Sequence, residues 1–294
     1  MGERPNWRGY LFILPAFAHL VVFALIPIVY AAILSLHRWN ILKEGKPFVG
    51  LGNYLFLFQD AEFWNAVWNS ARFALMSVPL GMLVALAVAI LVNQKLRGVT
   101  LFRTIFYVPA ISSGVAISMV WIWIYLPRNG LINFIAQLFG FSGTTDFLND
   151  PTLAMPALVF MSIWVGLGPR MVLFIAGLAA IPQSFYEAAQ VDGATRWSSF
   201  RHVTIPLLLP TTFFVLVTST IAALQVFTPV YMMTKGGPLQ TTDVVGYHIY
   251  NQAWRQFEMG MASAQSYILF ALVLGITLLQ FKFLSKRLQG FSIE

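Results

Sequence analysis

The chain has 294 residues, of which 58% are hydrophobic and only 10% charged, with a formal net charge of +7 and no cysteine. Soluble globular domains carry about 25% charged residues, so an ordinary water-soluble enzyme is excluded, and without cysteine there is no disulfide framework, thiolate nucleophile or Cys-type metal site. The positive balance fits basic residues flanking membrane segments better than nucleic acid, and the four scattered histidines, His19, His37, His202 and His248, lack the paired spacing of a metal site.

About 20 mainly apolar residues cross a bilayer as a helix, and six segments meet that measure: 11–36, 66–92, 104–126, 154–180, 211–233 and 265–283. The first would be about 39 Å long as a helix. That is too long for a signal-peptide core, so it reads as a retained span. In the second, Arg72 lies near one end, placed to snorkel to headgroups. Trp7, Trp64 with Trp68, and Trp121 with Trp123 are placed as interfacial belts.

The fourth span carries Trp164-Val165-Gly166-Leu167-Gly168-Pro169-Arg170. Two glycines and a proline so close together predict a weakened or broken helix, the kind of break that builds transporter sites. Arg170 falls near mid-membrane, where a charge needs a partner or a wet cavity. It either faces a cavity, offering paired hydrogen bonds to sugar hydroxyls, a carboxylate or a phosphate, or serves assembly through backbone carbonyls or another subunit. Trp164, Gly168 and Arg170 are therefore candidates for a solute route. Ser219 and Gln225 of the fifth span join them, although interhelical hydrogen bonding explains those two equally well.

Between the spans lie turn formers such as Gly45-Lys46-Pro47, Pro127-Arg128-Asn129-Gly130 and Gly236-Gly237-Pro238, but no long linker. The prediction is one transmembrane domain over 1–294, an all-α polytopic bundle of six spans. With both termini cytoplasmic, the inner flanks hold Arg4, Arg8, Lys95, Arg97, Arg103, Arg196, Arg201, Lys282, Lys286 and Arg287. The longer outer segments hold only Arg38, Lys43, Lys46, Arg128, Lys235 and Arg255. The positive-inside rule favours this orientation, and it puts the polar interruption 181–210 in the cytoplasm.

That interruption reads IPQSFYEAAQVDGATRWSSFRHVTIPLLLP. Pro182 suits a first helical position. Phe185, Ala188 and Ala189 fall on one face, and Gly193 can close the helix in the left-handed conformation. Thr195 can cap a second short helix carrying Trp197, Phe200 and Arg201 and ending before Pro206. Two helices of about 15 Å each are too short to span a membrane. On periodicity alone they could be ordinary interfacial helices.

The spacing says more. Glu187-Ala188-Ala189, then Gly193, then Val203-Thr204-Ile205-Pro206 resembles the coupling segment of binding-protein-dependent ABC importer permeases, although the ending departs from the usual Ile-x-Leu-Pro. Phe48-Val49-Gly50-Leu51-Gly52-Asn53-Tyr54 is similar to the opening loop of sugar-type permeases. So are Lys235-Gly236-Gly237-Pro238, Tyr247-His248-Ile249-Tyr250 and Gly260-Met261-Ala262-Ser263-Ala264, all in the family's order. The closest branch is maltose-type, which takes oligosaccharides and glycerol phosphates, and the chain resembles its first permease subunit.

The resemblance implies a multi-pass protein of a prokaryotic inner or plasma membrane. It implies a heterodimer with a second homologous permease, two ATPase subunits that use ATP and Mg, and an extracytoplasmic solute-binding protein. Within it, Glu187, Ala188, Ala189, Asp192, Gly193 and Pro206 would form the coupling surface, with Glu187 meeting a basic group and the small residues permitting close approach. The chain itself contains no GxxxxGK[ST] phosphate loop and no legible catalytic constellation. It is not expected to be an enzyme or to hold a cofactor. A self-contained secondary transporter or channel, which would need a coupling carboxylate within the spans, is the alternative, as is a permease for a non-sugar or anionic solute.

Overall fold

The computed structural model describes residues 7–93, 98–141 and 143–288, and apart from two isolated bridges the ordered elements among them are helical. Of the basic flanks named above, Arg4, Lys95 and Arg97 lie outside the described residues, as do the side chains of Trp7, Arg8, Lys286 and Arg287. Four helices are long and apolar enough to cross a membrane, Leu11–Ser35, Ala61–Val92, Ala154–Ala179 and Met259–Phe283, and two bent pairs bring the number to six if each pair counts as one span.

By internal contacts the chain divides into two units, Met1–Ala61 with Ile249–Ala271, and Glu62–His248 with Leu272–Glu294. In the first, α1 (Trp7–Leu20) and α2 (Ile26–Ser35) run through a π-turn at Val21–Leu25. A short α3 (Gly52–Gln59) follows. The Phe48–Tyr54 motif secures the end of this first span: Asn53 Nδ2 donates to the carbonyls of Ser35 and His37, and Tyr54 Oη donates to Ser35 Oγ at 2.7 Å. The start of the last helix is held to the same turn, because Asn40 Nδ2 donates to Glu258 Oε1 and the Gly260 amide donates to the Trp39 carbonyl. A Cβ on Gly260 would collide with the His37 carbonyl, so this approach requires glycine.

The second unit contains α4 (Ala61–Val92), α5 (Val99–Ile111), α6 (Gly114–Ile124), α7 (Leu131–Leu138) and α8 (Ala154–Ala179). After them come α9 (Gln183–Val191), α10 (Arg196–Ser199), α11 (Ile205–Leu207), α12 (Leu209–Leu224), α13 (Val245–Tyr250) and the last turns of α14 (Met259–Leu288). Its core gathers Ala85 and Ala89 of α4, Leu167, Met171 and Phe174 of α8, and Val215 of α12. Lipid is as apolar as these side chains, so close packing rather than water exclusion holds helices together at this depth.

The structure departs from the sequence reading at three spans. The third is not one straight helix: α5 and α6 meet at 102°. Pro109 lies in the last turns of α5, and Ser112 and Ser113 are extended, so the amide ladder stops there. The fourth, predicted to break, is a continuous helix through Gly166, Gly168 and Pro169. Its glycines serve close approach instead. A Cβ on Gly168 would lie 2.5 Å from the Phe106 carbonyl oxygen and 2.7 Å from Tyr107 Cα, where α5 crosses. The fifth begins earlier and ends earlier than predicted. A helical run from Arg196 passes Pro206, bends by 61° at Leu208 and stops at Leu224 rather than reaching 233. A π-turn at Phe200–Thr204 just before Pro206 changes the hydrogen-bond register where proline supplies no amide.

Candidate coupling segment and membrane-embedded polar site

The 181–210 segment folds as two short helical pieces joined by a tight turn. Pro182 is the N-cap of α9 rather than its first helical residue, with ψ at 137°. At the other end Asp192 is the C-cap and Gly193 takes φ +76°. The Gly193 amide donates to the Gln190 carbonyl and the Ala194 amide to the Ala189 carbonyl at 2.8 Å. That pair of bonds is the Schellman closure, which satisfies two carbonyls the helix end would otherwise leave open. Thr195 Oγ1 accepts from the Ser198 amide at 3.2 Å and starts α10, as its residue type predicts.

The predicted face of α9 needs correction. Ala189 is half-buried beside Tyr186, one turn apart, whereas Phe185, Glu187 and Ala188 are exposed. Tyr186 Oη lies 3.0 Å from Thr204 Oγ1, which turns this side of the helix inward. Outward face Phe185 at 38% exposure, Val191 at 88% and Trp197 at 68%, with Glu187, Asp192 and Gly193 also exposed. Pro206 is half-buried at the root of the segment. All six predicted coupling residues thus sit on one helix–turn–helix, five of them on α9 and its closing turn.

The membrane-embedded candidates do not all converge. Arg170 Nε donates to Ser219 Oγ of α12 at 3.1 Å, and Ser219 is buried. The guanidinium rests in a notch made by Gly166 of its own helix and Gly81 of α4, where a Cβ on either would meet it. Its Nη1 is buried without a hydrogen-bond partner. Arg170 and Ser219 therefore form a site, 49 residues apart in sequence. Gly168 instead lies at the α5 crossing. Trp164 is exposed and packs edge-to-face on Trp121 at 5.6 Å. Gln225 is exposed at the C-cap of α12, so the helix end among these candidates falls at 225 rather than at 166–170.

Trp121, predicted to sit in an interfacial belt, is buried at 6% exposure among Tyr125, Phe160 and Trp164. Its neighbour Trp123 is exposed. Sequence reading missed Gly81 and Tyr186, whose roles depend on partners far along the chain. Gly81 stands in the apolar run 66–92 with no local signal of a charged neighbour. Tyr186 adjoins Glu187-Ala188-Ala189, and that adjacency was the available hint.

A helical chain with these spans and an exposed, capped helix pair has the build of a multi-pass membrane subunit of a transporter. Residues 77–290 match the family described as binding-protein-dependent transport system inner membrane component, and the chain belongs to that family, the permeases of ABC transporters. The trehalose/maltose transport system permease protein MalF of Thermococcus litoralis is 35% identical, covering 93% of this chain and 92% of its own. The lactose transport system permease protein LacF of Rhizobium radiobacter is 36% identical, covering 93% of each. A chain in the crystal structure of a bacterial ABC transporter involved in the import of the acidic polysaccharide alginate superposes with a TM-score of 0.83 over 96% of both chains; at 24% identity this establishes the shared fold.

Proposed function

We propose that this permease moves a sugar or oligosaccharide inward across the membrane, as half of a heterodimeric pathway driven by separate ATPase subunits. The observation that carries the reading is the 181–210 segment: a capped helix pair whose outer face presents Phe185, Val191, Trp197 and Glu187 with nothing among the described residues to cover them. Exposed apolar side chains rimmed by polar ones mark a protein contact. Glu187 pairs there with a basic group of the ATPase, Ala188, Ala189 and Gly193 allow close approach, and Asp192 and Pro206 fix the turn and the root. ATP and Mg belong to that partner. The solute arrives on a binding protein at the opposite face and passes between this chain and a second homologous permease.

Within this chain Trp164, Arg170 and Gln225 contact the solute. Ser219 orients Arg170, and Gly168 supports the site by admitting α5. The sugar assignment draws on the names of the trehalose/maltose and lactose relatives. The guanidinium of Arg170, fixed by Ser219 at 3.1 Å, has the chemistry that pairs with hydroxyl or carboxylate oxygens. An ion-coupled carrier would need a carboxylate at membrane depth, and Ala154–Ala179, Leu209–Leu224 and Met259–Leu288 contain none.

The test is to reconstitute the chain with candidate permease, ATPase and binding-protein partners and measure ATP hydrolysis across a panel of neutral sugars and sugar acids. Stimulation by one class, abolished by Glu187→Lys, is the expected result. Recruitment of no ATPase, or stimulation that survives Glu187→Lys, defeats the coupling assignment. An assembled, ATP-competent complex that no sugar stimulates defeats the substrate assignment alone.

A further inference from the structure

Helix α9 joins the foot of α8 directly through Ala180-Ile181-Pro182, whereas its backbone connection toward α12 runs through a turn. At its C-terminal end the chain turns through Gly193, whose surroundings are open: a Cβ there would meet nothing within 4 Å. Beyond the turn, a helical run started by the Thr195 cap carries the chain from Arg196 to Leu207. A push on Glu187-Ala188-Ala189 could therefore be absorbed by bending at 192–195 before reaching α12. Among the described residues one side-chain hydrogen bond spans that hinge. It joins Tyr186 Oη to Thr204 Oγ1 at 3.0 Å, across 18 residues of sequence.

Both ends of this bond are well placed. Tyr186 precedes Glu187 and lies on the inward side of α9, half-buried. Thr204 is only 7% exposed and is the last residue of the π-turn Phe200–Thr204. Two residues later comes Pro206, then the 61° bend at Leu208, and then α12, which carries Ser219 and through it Arg170. A buried hydroxyl resists losing its partner, because nothing apolar nearby can replace it. A π-turn beside it is a place where a helix can change register.

We propose that the Tyr186–Thr204 hydrogen bond is a strut that makes α9 and the foot of α12 move as one body, with Tyr186 a positioning residue for ATP-coupled transport. The proposal rests on the coupling role given above to 181–210. The bond closes a triangle whose other two sides are the turn at Gly193 and the helical run from Arg196 to Thr204, and it carries displacement of the docked helix directly to the bend below α12. Without it α9 stays docked and the ATPase keeps turning, but a larger share of its strokes ends in the hinge.

The experiment uses the reconstituted complex with wild-type chain, Tyr186→Phe, Thr204→Val, the double variant and Thr204→Ser. Three quantities are read: ATPase bound per permease, basal hydrolysis, and solute moved per ATP hydrolysed. Tyr186→Phe keeps the ring and removes only the hydroxyl. It is expected to leave ATPase binding and basal hydrolysis unchanged and to lower solute moved per ATP about fivefold, the effect of losing one ordinary hydrogen bond. Thr204→Val should match it, the double variant should fall no further because both changes remove the same contact, and Thr204→Ser should retain coupling.

Unchanged solute per ATP in Tyr186→Phe overturns the strut, and so does a double variant whose loss is the product of the two single losses. If Tyr186→Phe and Thr204→Val both fail to assemble, the bond is a folding requirement and the positioning role is overturned. A wild-type chain that recruits no ATPase overturns the coupling segment itself and the strut with it. That result is distinguishable from the others because it appears before any substitution is made.

Discussion

Gly168→Ala tests whether the fourth span is a packing element or a weak point. If glycine were there to loosen the helix, alanine would strengthen it by up to about 1 kcal/mol, the difference in helix propensity. The structure says the opposite. The new methyl would sit 2.5 Å from the Phe106 carbonyl oxygen and 2.7 Å from Tyr107 Cα, both backbone atoms of α5 that cannot rotate aside. Carbon contacts are comfortable at about 3.5–4.0 Å, so α5 must retreat by roughly 1 Å along the crossing. Overpacking of this kind costs about 1–3 kcal/mol, and rigid backbone puts this case near the top, for a net loss of about 2 kcal/mol after the propensity gain.

Gly166→Ala is the control. Its methyl would meet Arg170 Nη1 at 2.9 Å and Cζ at 3.0 Å, the end of a flexible side chain that can give way. Its net effect is expected to stay within about 1 kcal/mol of zero. Unfolding of the purified chain by SDS in mixed micelles, followed through its nine tryptophans, reads the difference. Equal stability of the two variants would refute the account of Gly168 as the α5 contact.

Gly81→Ala is expected to displace the Arg170 guanidinium and weaken its bond to Ser219, yet to be neutral or slightly stabilising in an Arg170→Ala background; the same SDS titration over the four-member cycle measures that non-additivity. Asn69→Leu removes two donors, to the Gln240 carbonyl at 2.8 Å and the Asp243 carbonyl at 3.0 Å. It should cost about 2–4 kcal/mol and open the loop at 235–243 to protease cleavage, read as the cut rate against wild type. The Asp150 carboxyl is held below the usual carboxylate range, first by the Thr152 hydroxyl and then by the Thr152 and Leu153 amides. Its folded-state value being depressed, its stabilisation of the turn before α8 is present above the unfolded-state value and is lost as pH falls through the folded one. Protection of the Thr152 and Leu153 amides against exchange, relative to the intrinsic rate at each pH, should therefore fall on acidification, an effect absent in Asp150→Asn.

Much of this was legible along the chain. Predicted spans 11–36, 66–92 and 154–180 agree with the observed helices to within about five residues, because the lipid sets their length and any apolar run of about 20 residues satisfies it. The turn at 192–195 was legible too. Gly193 supplies its positive φ and Thr195 its cap through chemistry that reaches only three or four residues. The spans at 104–126 and 211–233 were misjudged because hydropathy averages over direction. A run that turns by 102° at Ser112–Ser113 has the same mean composition as a straight one.

Side-chain placement in the membrane was the least legible. Trp121 and Trp123 share one stretch of sequence, and only the packing of α6 against α8 makes the first a core residue and leaves the second exposed. Gly166-Leu167-Gly168-Pro169 carries the signature of a broken helix, yet Gly168 answers α5 crossing from elsewhere in the chain and Gly166 leaves room for Arg170 of its own helix.

The sequence by itself determined a multi-pass helical membrane protein with a capped polar turn between two spans, since span length and capping are local properties of the chain, and the spacing of its motifs resembled the family to which the chain belongs. The tertiary structure alone decided that Arg170 reaches Ser219 through a notch at Gly81, and that Tyr186 reaches Thr204. Those contacts join residues 49 and 18 positions apart. No local pattern encodes them, because they exist only where helices have already packed closely enough for two side chains to meet.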